Sequence, residues 1–236
     1  MGERGWLKAV LLALLLGLLG WAIWATRADR WRPAPTSVGA QGVAIGAANR
    51  PLTADALKAA GARFVYLDAT RGSRLEPGFS ELLAAARGSG LPTGAIHHYR
   101  LCAPAAEQAA AFVTLVPRAS DTLPPLVLIE DEAQCARPPS PALLRAELTT
   151  FLSQVETHGG RRAVLGIMPD LEERYPLGDI RRERLLIAPR DAGAARNGAR
   201  RDWALWLAND RTQLDGVAGR VRWLALRRNL GQDGRR

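Results

Sequence analysis

The chain of 236 residues is 47% hydrophobic and 23% charged, a balance that excludes a wholly disordered protein and allows one sizeable folded core. Its formal net charge is +9, and the excess arginine occurs in pairs along the chain rather than in one basic helix, which argues against a nucleic-acid partner. An anionic partner such as a cell-wall polymer or lipid head groups agrees with this charge.

The first predicted element is a long apolar helix near the N-terminus. Residues 9–25 are exclusively Leu, Ala, Gly, Val, Ile and Trp. With the residues before them they give about 20 apolar positions, enough to cross roughly 30 Å of hydrocarbon. Arg4 and Lys8 precede this run, so a cleaved signal peptide is the alternative. We expect residues 1–26 to be an uncleaved transmembrane anchor and residues 27–40, rich in Arg, Pro, Ser and Gly, to be a linker.

Short apolar runs then alternate with amphipathic segments over residues 41–228, which we expect to form one domain, before a basic tail at 229–236. The predicted strands are 43–45, 64–67, 93–97, 126–130, 163–167, 185–188, 203–207 and 221–226. The predicted helices include 53–60, 78–87, 104–116 and 141–157. Eight strands with mostly helical connections predict an α/β fold, a distorted TIM-like (β/α) barrel, with an open doubly wound sheet as the alternative.

The fourth predicted strand carries the most distinctive pattern, because its apolar run opens into three consecutive acids, Glu130, Asp131 and Glu132. Alternation along an extended strand places Leu126, Leu128 and Glu130 on one face, so Glu130 lies beside an alkyl side chain. In α/β barrels, active sites lie at the C-terminal ends of strands. The sequence therefore predicts a site around Glu130, with the other two acids in the following loop.

The two cysteines, Cys102 and Cys135, each lie just beyond a predicted strand. If those strands are neighbours, their ends lie close enough for the alpha-carbon separation of roughly 4.4 to 6.8 Å that a disulfide needs. A bridge indicates an oxidising compartment, whereas two separate thiols are the alternative.

Metal and cofactor sites are not predicted. His97 and His98 are adjacent, but no third ligand follows them at helical or hairpin spacing. The chain also has no glycine-rich phosphate loop and no dinucleotide fingerprint in a suitable context.

Five ordered segments of the domain carry a family pattern. They are residues 41–46, 64–72, 90–97, 107–109 and 123–130. In this order they resemble glycoside hydrolase family 25, lysozymes of the Chalaropsis type that cleave the muramic acid linkage of peptidoglycan. The resemblance implies a distorted β/α barrel whose partner is peptidoglycan or another envelope component. A cell-wall substrate further implies a domain in the periplasm, joined to the inner membrane by a single-pass anchor whose N-terminus is inside.

The family pattern implies four acids at strand ends, and this chain keeps one of them. Ala44 stands in place of the aspartate of the first strand, and Leu128 in place of the aspartate two residues before the retained Glu130. Arg222 stands in place of the aspartate of the last strand. Glu130 is thus the candidate general acid, and Asp68, where the family has lysine, is the available carboxylate partner.

The sugar-binding positions that the resemblance implies are also altered. His97 and Trp206 keep the family residue and are the candidate substrate-binding side chains. Ile96 and Gly166 stand where the family has tyrosines, and Arg71 stands where it has glutamate. The resemblance therefore implies a sugar site that has lost aromatic rings and an acid.

Glycoside hydrolysis needs a proton donor and a second group that supplies or orients the nucleophile, and one carboxyl group cannot do both. We expect Leu128 to favour the neutral form of Glu130. We expect Arg71 and Arg222 to form ion pairs with the remaining acids or to face an anionic ligand. The resulting hypothesis is a peptidoglycan-binding domain with lost or greatly reduced hydrolytic activity. An active muramidase that uses Glu130 with Asp68, and an envelope protein-interaction scaffold, are the alternatives.

Overall fold

The structure is a computed structural model that describes residues 3–119, 122–130, 135–197 and 203–227. The chain forms two compact units, Met1–Trp31 and Arg32–Arg236. Asp131, Glu132 and the predicted tail at 229–236 lie outside the described residues.

The first unit is one helix, α1, which spans Glu3–Arg30. Its segment Val10–Arg30 has 21 residues and is long and apolar enough to cross a membrane. At a rise of about 1.5 Å per residue this segment is roughly 30 Å long, close to the thickness of a bilayer core. Its leucines and tryptophans are exposed along the helix, as in Leu14 and Trp21. By length and composition α1 is a candidate membrane span or signal sequence.

The second unit contains nine strands and six helices among its described residues, together with a short 3₁₀ helix at Ala47–Asn49. The strands are β1 Gln41–Ile45, β2 Val65–Arg71, β3 Arg74–Leu75, β4 Thr93–Tyr99, β5 Leu126–Ile129, β6 Val164–Ile167, β7 Arg184–Ile187, β8 Trp203–Gln213 and β9 Arg220–Leu226. The helices are α2 Ala54–Ala59, α3 Phe79–Gly88, α4 Ala105–Leu115, α5 Pro141–Gly159, α6 Pro169–Arg174 and α7 Ala192–Asn197. All eight predicted strands are present, and β3, α6 and α7 were not predicted.

The strands close into a barrel because β1 pairs with both β2 and β9, while β3 extends β2 as a short hairpin. The barrel strands β1, β2 and β4 through β8 run parallel to their neighbours, whereas β9 runs antiparallel to β8 and to β1. The connection from β8 to β9 is only residues 214–219 and includes Gly216 and Gly219 at φ 77° and 65°. A turn this short reverses the chain and leaves no room for a helical crossover. The barrel is therefore distorted, as predicted, by the reversal of its last strand.

Apolar side chains from every barrel strand fill the interior. They are Ala44, Phe64, Tyr66, Ile96, Leu126, Leu128, Val164, Leu185, Leu205 and Leu224. In β4 and β5 these residues alternate with residues that face the surrounding helices, as expected from the period of two along a strand. The interior is thus a packed core that ends in an open mouth at the carboxyl ends of the parallel strands.

The longest barrel helix, α5, has clear start and stop signals. Ser140 precedes the helix, and its hydroxyl accepts a hydrogen bond from the backbone N–H of Leu143 at 3.2 Å. Pro141 occupies the first helical position, and Gly160 ends the helix at φ 65°. The helix packs against α4, and its Phe151 contacts His97 and Tyr99 on the outer face of β4, the strand that carries His98.

Candidate active site

Five titratable or charged side chains meet at the barrel mouth. Asp68 and Arg71 lie on β2, His98 lies on β4, and Glu130 directly follows β5. Arg222 lies near the start of β9 and reaches the same end because that strand runs antiparallel, with Arg222 opposite Ala44 of β1. The parallel strands and the reversed strand together place these groups on one side of the molecule.

His98 joins the two carboxylates of the site. Its Nε2 lies 2.9 Å from Oδ1 of Asp68, and its Nδ1 lies 3.2 Å from Oε1 of Glu130. Each carboxylate also binds an arginine: Arg222 donates to Oδ1 of Asp68, and Nη1 of Arg71 donates to Oε2 of Glu130 at 2.9 Å. The five side chains form one ion network across the mouth. The sequence analysis predicted that Arg71 and Arg222 either pair with the remaining acids or face an anionic ligand, and the structure has the ion pairs.

The network keeps Asp68 ionised and favours the charged form of His98. Burial raises the pKa of Asp68, but Arg222 and His98 outweigh burial and hold that pKa below its usual range. Burial lowers the pKa of His98, which is 3% exposed, but its hydrogen bonds to Asp68 and Glu130 raise the pKa above its usual value. When His98 is protonated, both ring N–H groups donate to carboxylates.

The structure overturns the expectation that Leu128 favours the neutral form of Glu130. Burial does oppose ionisation of this carboxyl group, but the hydrogen bonds and charges of His98 and Arg71 exceed it and lower the pKa of Glu130 to about 2. The reason is geometric, because Leu128 lies below Glu130 in the barrel while two cations bind its oxygens directly. Glu130 is therefore an ionised partner in the network at neutral pH.

Below the network, the barrel mouth is apolar. A cavity of about 70 Å³ lies there, lined mainly by aliphatic side chains such as Ile96, Leu128 and Leu207, with Glu130 and Arg222 at its rim. This volume is well below the roughly 300 to 1,000 Å³ typical of small-ligand pockets. Little of a sugar ring fits beneath the charged groups.

Two of the departures from the family pattern complement one another. A Cβ atom at Gly166 would lie 2.6 Å from Cδ2 of Leu128, closer than real Cβ contacts. Leu128 therefore occupies space that a larger side chain at residue 166 would need. The leucine that replaces an acid and the glycine that replaces a ring form one packing unit on β5 and β6.

His97 lies on the opposite face of β4 from the site, contrary to its prediction as a substrate-binding residue. It is fully buried between the sheet and the helices, where its Nδ1 is 2.7 Å from the Thr70 hydroxyl and its Nε2 is 3.1 Å from Oε1 of Gln108. Its ring stacks on Phe151 with centroids 4.4 Å apart. Burial lowers the pKa of His97 to about 3, so the ring is neutral and supports packing.

Trp206 is also unable to contact a ligand at the mouth. Its neighbours Leu205 and Leu207 pack into the barrel interior, so the indole faces outward by strand alternation. The ring is 1% exposed, and its Nε1 donates to the carbonyl of Ala188 at 2.9 Å. The structure therefore does not support the prediction that Trp206 binds substrate, and the indole packs in the core.

The site histidine that the sequence analysis missed is His98. The signal was present, because Ile96 belongs to the interior set and the period of two then places His98, not His97, on the same face. Ala44 of β1 also faces the barrel interior, two residues before Gly46. A Cβ atom at Gly46 would lie 2.5 Å from Oδ2 of Asp68. A small residue at 46 leaves room for that carboxylate.

Cys102 and Cys135 form a disulfide in the structure, with Cα atoms 5.6 Å apart. The bridge joins the loop after β4 to the segment after β5, so it ties together the two connections that follow His98 and Glu130. Within the residues that the structure describes, no group of three or more His, Cys, Asp or Glu side chains is arranged to hold a metal ion.

Carboxylates at the carboxyl ends of the strands of a closed α/β barrel occupy the place where the active sites of α/β-barrel enzymes lie. More specifically, the model of the family "Glycosyl hydrolases family 25" matches residues 49–217, and the chain belongs to this family. No curated protein matches the chain.

Solved structures agree with the family. A family 25 glycosyl hydrolase from Bacillus anthracis has a TM-score of 0.72 at 19% identity, over 84% of this chain and 92% of that chain. The bacterial lysozyme from Streptomyces coelicolor has a TM-score of 0.68 at 20% identity, over 80% of this chain and 92% of that chain. A family 25 lysozyme from Aspergillus fumigatus has a TM-score of 0.66 at 20% identity, over 82% and 96% of the two chains.

Proposed function

We propose that this chain is a membrane-anchored family 25 domain that faces the periplasm and binds peptidoglycan, with hydrolytic activity lost or greatly reduced. Family membership and the lysozymes among the related structures support peptidoglycan as the ligand. The candidate span in α1 supports an inner-membrane anchor. The disulfide between Cys102 and Cys135 supports an oxidising compartment such as the periplasm.

The protonation state of Glu130 carries the proposal. A glycosidase acid must be protonated at its working pH, which enzymes achieve by raising its pKa. The contacts with His98 and Arg71 instead lower the pKa of Glu130 to about 2. At pH 7 such a group is almost entirely ionised. The retained family acid is therefore a poor proton donor.

The arrangement of the second carboxylate supports the same conclusion. Asp68 and Glu130 are bridged by the imidazole of His98, through contacts of 2.9 Å to Asp68 and 3.2 Å to Glu130. In a working glycosidase the anomeric carbon of the sugar lies between the two acids. Here the His98 ring fills that space, and Arg222 neutralises Asp68.

Turnover of peptidoglycan tests the loss of activity. We expect the full chain, in a non-ionic detergent, to release no more reducing ends from purified sacculi than buffer does, and no more than its Glu130→Gln variant. An active family 25 lysozyme serves as the positive control. If the chain releases reducing ends and Glu130→Gln abolishes that release, the proposal is overturned and the chain is an active muramidase. The presence of both Asp68 and Glu130 at the mouth is the observation that favours this alternative.

Co-sedimentation with sacculi tests binding separately. We expect the full chain in the pellet, and weaker retention of Arg71→Ala, because this half-exposed arginine lies at the mouth and pairs peptide carboxylates well. Arg63→Ala is the matched control, because Arg63 is exposed just before β2, at the other end of the barrel. A chain that stays in the supernatant would contradict binding and favour the envelope scaffold.

A further inference from the structure

A second groove lies at the end of the barrel opposite the candidate active site. Its lining includes Pro124 before β5, Ala163 before β6 and Trp203 at the start of β8. The groove has a volume of about 770 Å³, within the roughly 300 to 1,000 Å³ typical of ligand pockets. It is about ten times larger than the apolar cavity at the mouth.

The groove is strongly cationic. Six of the described residues that line it are arginines: Arg161, Arg162, Arg181, Arg182, Arg184 and Arg227. Among the described residues that line the groove, one is acidic, Glu183. Arg182 is paired with Glu156 of α5 through hydrogen bonds of 2.6 and 2.8 Å. Positive charge therefore exceeds negative charge across the groove. Guanidinium groups present planar pairs of N–H donors that match phosphate oxygens.

Two of these arginines are held in place by the fold. Arg184 is 5% exposed, and its Nη2 donates to the carbonyls of Leu177 and Ile180. The guanidinium of Arg227 lies over the ring of Trp203, 5.8 Å from its centroid. Fixed donors lose less conformational entropy on binding than mobile surface side chains do. The positive charges of Arg184 and Arg227 are thus fixed at the groove.

The chain enters the barrel at this same end. The backbone N–H of Gly39 donates to the carbonyl of Leu226 at 2.8 Å, and a Cβ atom at Gly39 would lie 3.0 Å from the carbonyl oxygen of Arg227. The segment that follows α1 in the sequence therefore joins the barrel beside a groove arginine. The opposite end carries Asp68 and Glu130.

We propose that this groove binds the phosphate-bearing headgroup of an anionic membrane lipid. The proposal combines excess positive charge, a volume suited to a headgroup, and the point of chain entry. The claim that the phosphate belongs to a membrane lipid rests on the proposed membrane anchor. The claim that the groove binds a phosphate group rests on the groove alone. Lipid bound here leaves the mouth with Glu130 at the other end of the barrel, accessible to the cell wall.

Native mass spectrometry of the full chain in a non-ionic detergent tests the site. Phosphatidylglycerol, phosphatidylcholine and glycerol 3-phosphate are added in separate arms at equal concentration. We expect at least five times more bound phosphatidylglycerol than phosphatidylcholine, and loss of that excess in the double variant Arg161→Glu/Arg181→Glu. The control, Arg74→Glu/Arg211→Glu, reverses two exposed arginines away from the groove and keeps the excess.

The arms separate the possible failures. Equal binding of the two lipids, or equal loss in the two double variants, would overturn the groove as a headgroup site. Glycerol 3-phosphate bound as well as phosphatidylglycerol, with the same loss in the groove variant, would overturn the lipid source and leave a free phosphate site. Because the chain is already in detergent, these results do not depend on α1. Extraction of the chain from membranes by alkaline carbonate would instead contradict the anchor.

Discussion

Asp68→Asn tests whether the ion network stabilises the barrel mouth. The substitution keeps the size of the side chain but removes the negative charge that Arg222 and His98 contact. The three side chains are mostly buried, with exposed fractions of 18% for Asp68, 22% for Arg222 and 3% for His98. The variant therefore leaves the mostly buried charges of Arg222 and His98 without the carboxylate that both contact in the wild-type chain.

The expected cost follows from this burial. Removing one partner of a buried ion pair costs roughly 3 to 5 kcal/mol, and His98 can relieve part of the cost by losing its proton. We therefore expect Asp68→Asn to lower the free energy of unfolding by about 3 kcal/mol. In a folded unit of the size of Arg32–Arg236 this corresponds to a melting temperature lower by about 6 to 12 °C.

Near-ultraviolet circular dichroism of the full chain in non-ionic detergent at pH 6 measures the melting temperature. Glu81→Gln is the control, because the Arg50–Glu81 pair is 3.5 Å apart with exposed fractions of 36% and 66%. Such exposed pairs contribute less than about 1 kcal/mol. Adding Arg222→Met to Asp68→Asn is expected to cost about 1 kcal/mol less than the sum of the single variants. Asp68→Asn melting within about 2 °C of Glu81→Gln, or strict additivity, would refute the reasoning.

Three further predictions concern packing, pH and the disulfide. Gly166→Ala adds a methyl group 2.6 Å from Cδ2 of Leu128, so we expect a loss of about 1 to 3 kcal/mol in urea unfolding. The loss becomes smaller in a Leu128→Ala background, and equal losses in both would contradict the packing unit. The raised pKa of His98 means that its stabilisation is complete below its unfolded pKa of about 6.5 and is lost as pH rises through the folded value. The stabilisation by Glu130 is complete above about pH 4.5 and is lost as pH falls toward 2. The buried His97 ring, whose pKa is about 3, makes stability fall as pH drops below its unfolded value of about 6.5. Melting temperatures are therefore highest near pH 6.5, and a steady rise from pH 7 to 9 would contradict this account. Cys102→Ser opens a bridge that spans 33 residues and lowers stability by about 3 to 4 kcal/mol. The wild-type chain treated with reductant should have the same melting temperature as that variant. A melting temperature that reduction does not change would count against the bridge.

The sequence predicted the strands well because each barrel strand is a short apolar run between turn residues or helices. It also placed Leu128 and Glu130 correctly on one face, since alternation depends only on local geometry. The reversal of β9 was missed, although the six-residue connection with Gly216 and Gly219 was its signal. Strand direction depends on such connections, and the apolar pattern of β9 is the same in either direction.

The electrostatics of the site could not be predicted from neighbours in the sequence. Leu128 is close to Glu130 along the chain, but the groups that set its pKa are His98, 32 residues away, and Arg71, 59 residues away. Their distances depend on strand order and register, which no local pattern specifies. The assignment of His97 rather than His98 has a different cause, because identity with the family residue was given more weight than the alternation of β4.

The antiparallel last strand has a consequence for the biogenesis of this protein. Asp68 is synthesised 154 residues before the arginine that neutralises it, and β1 finds its second neighbour only when β9 is complete. Contacts between distant parts of a chain form slowly and late in folding. Until the final strand emerges, β1 and β8 each have an open edge that invites pairing with other chains. Pairing of the C-terminal strand is therefore the step that both closes the sheet and completes the charged mouth.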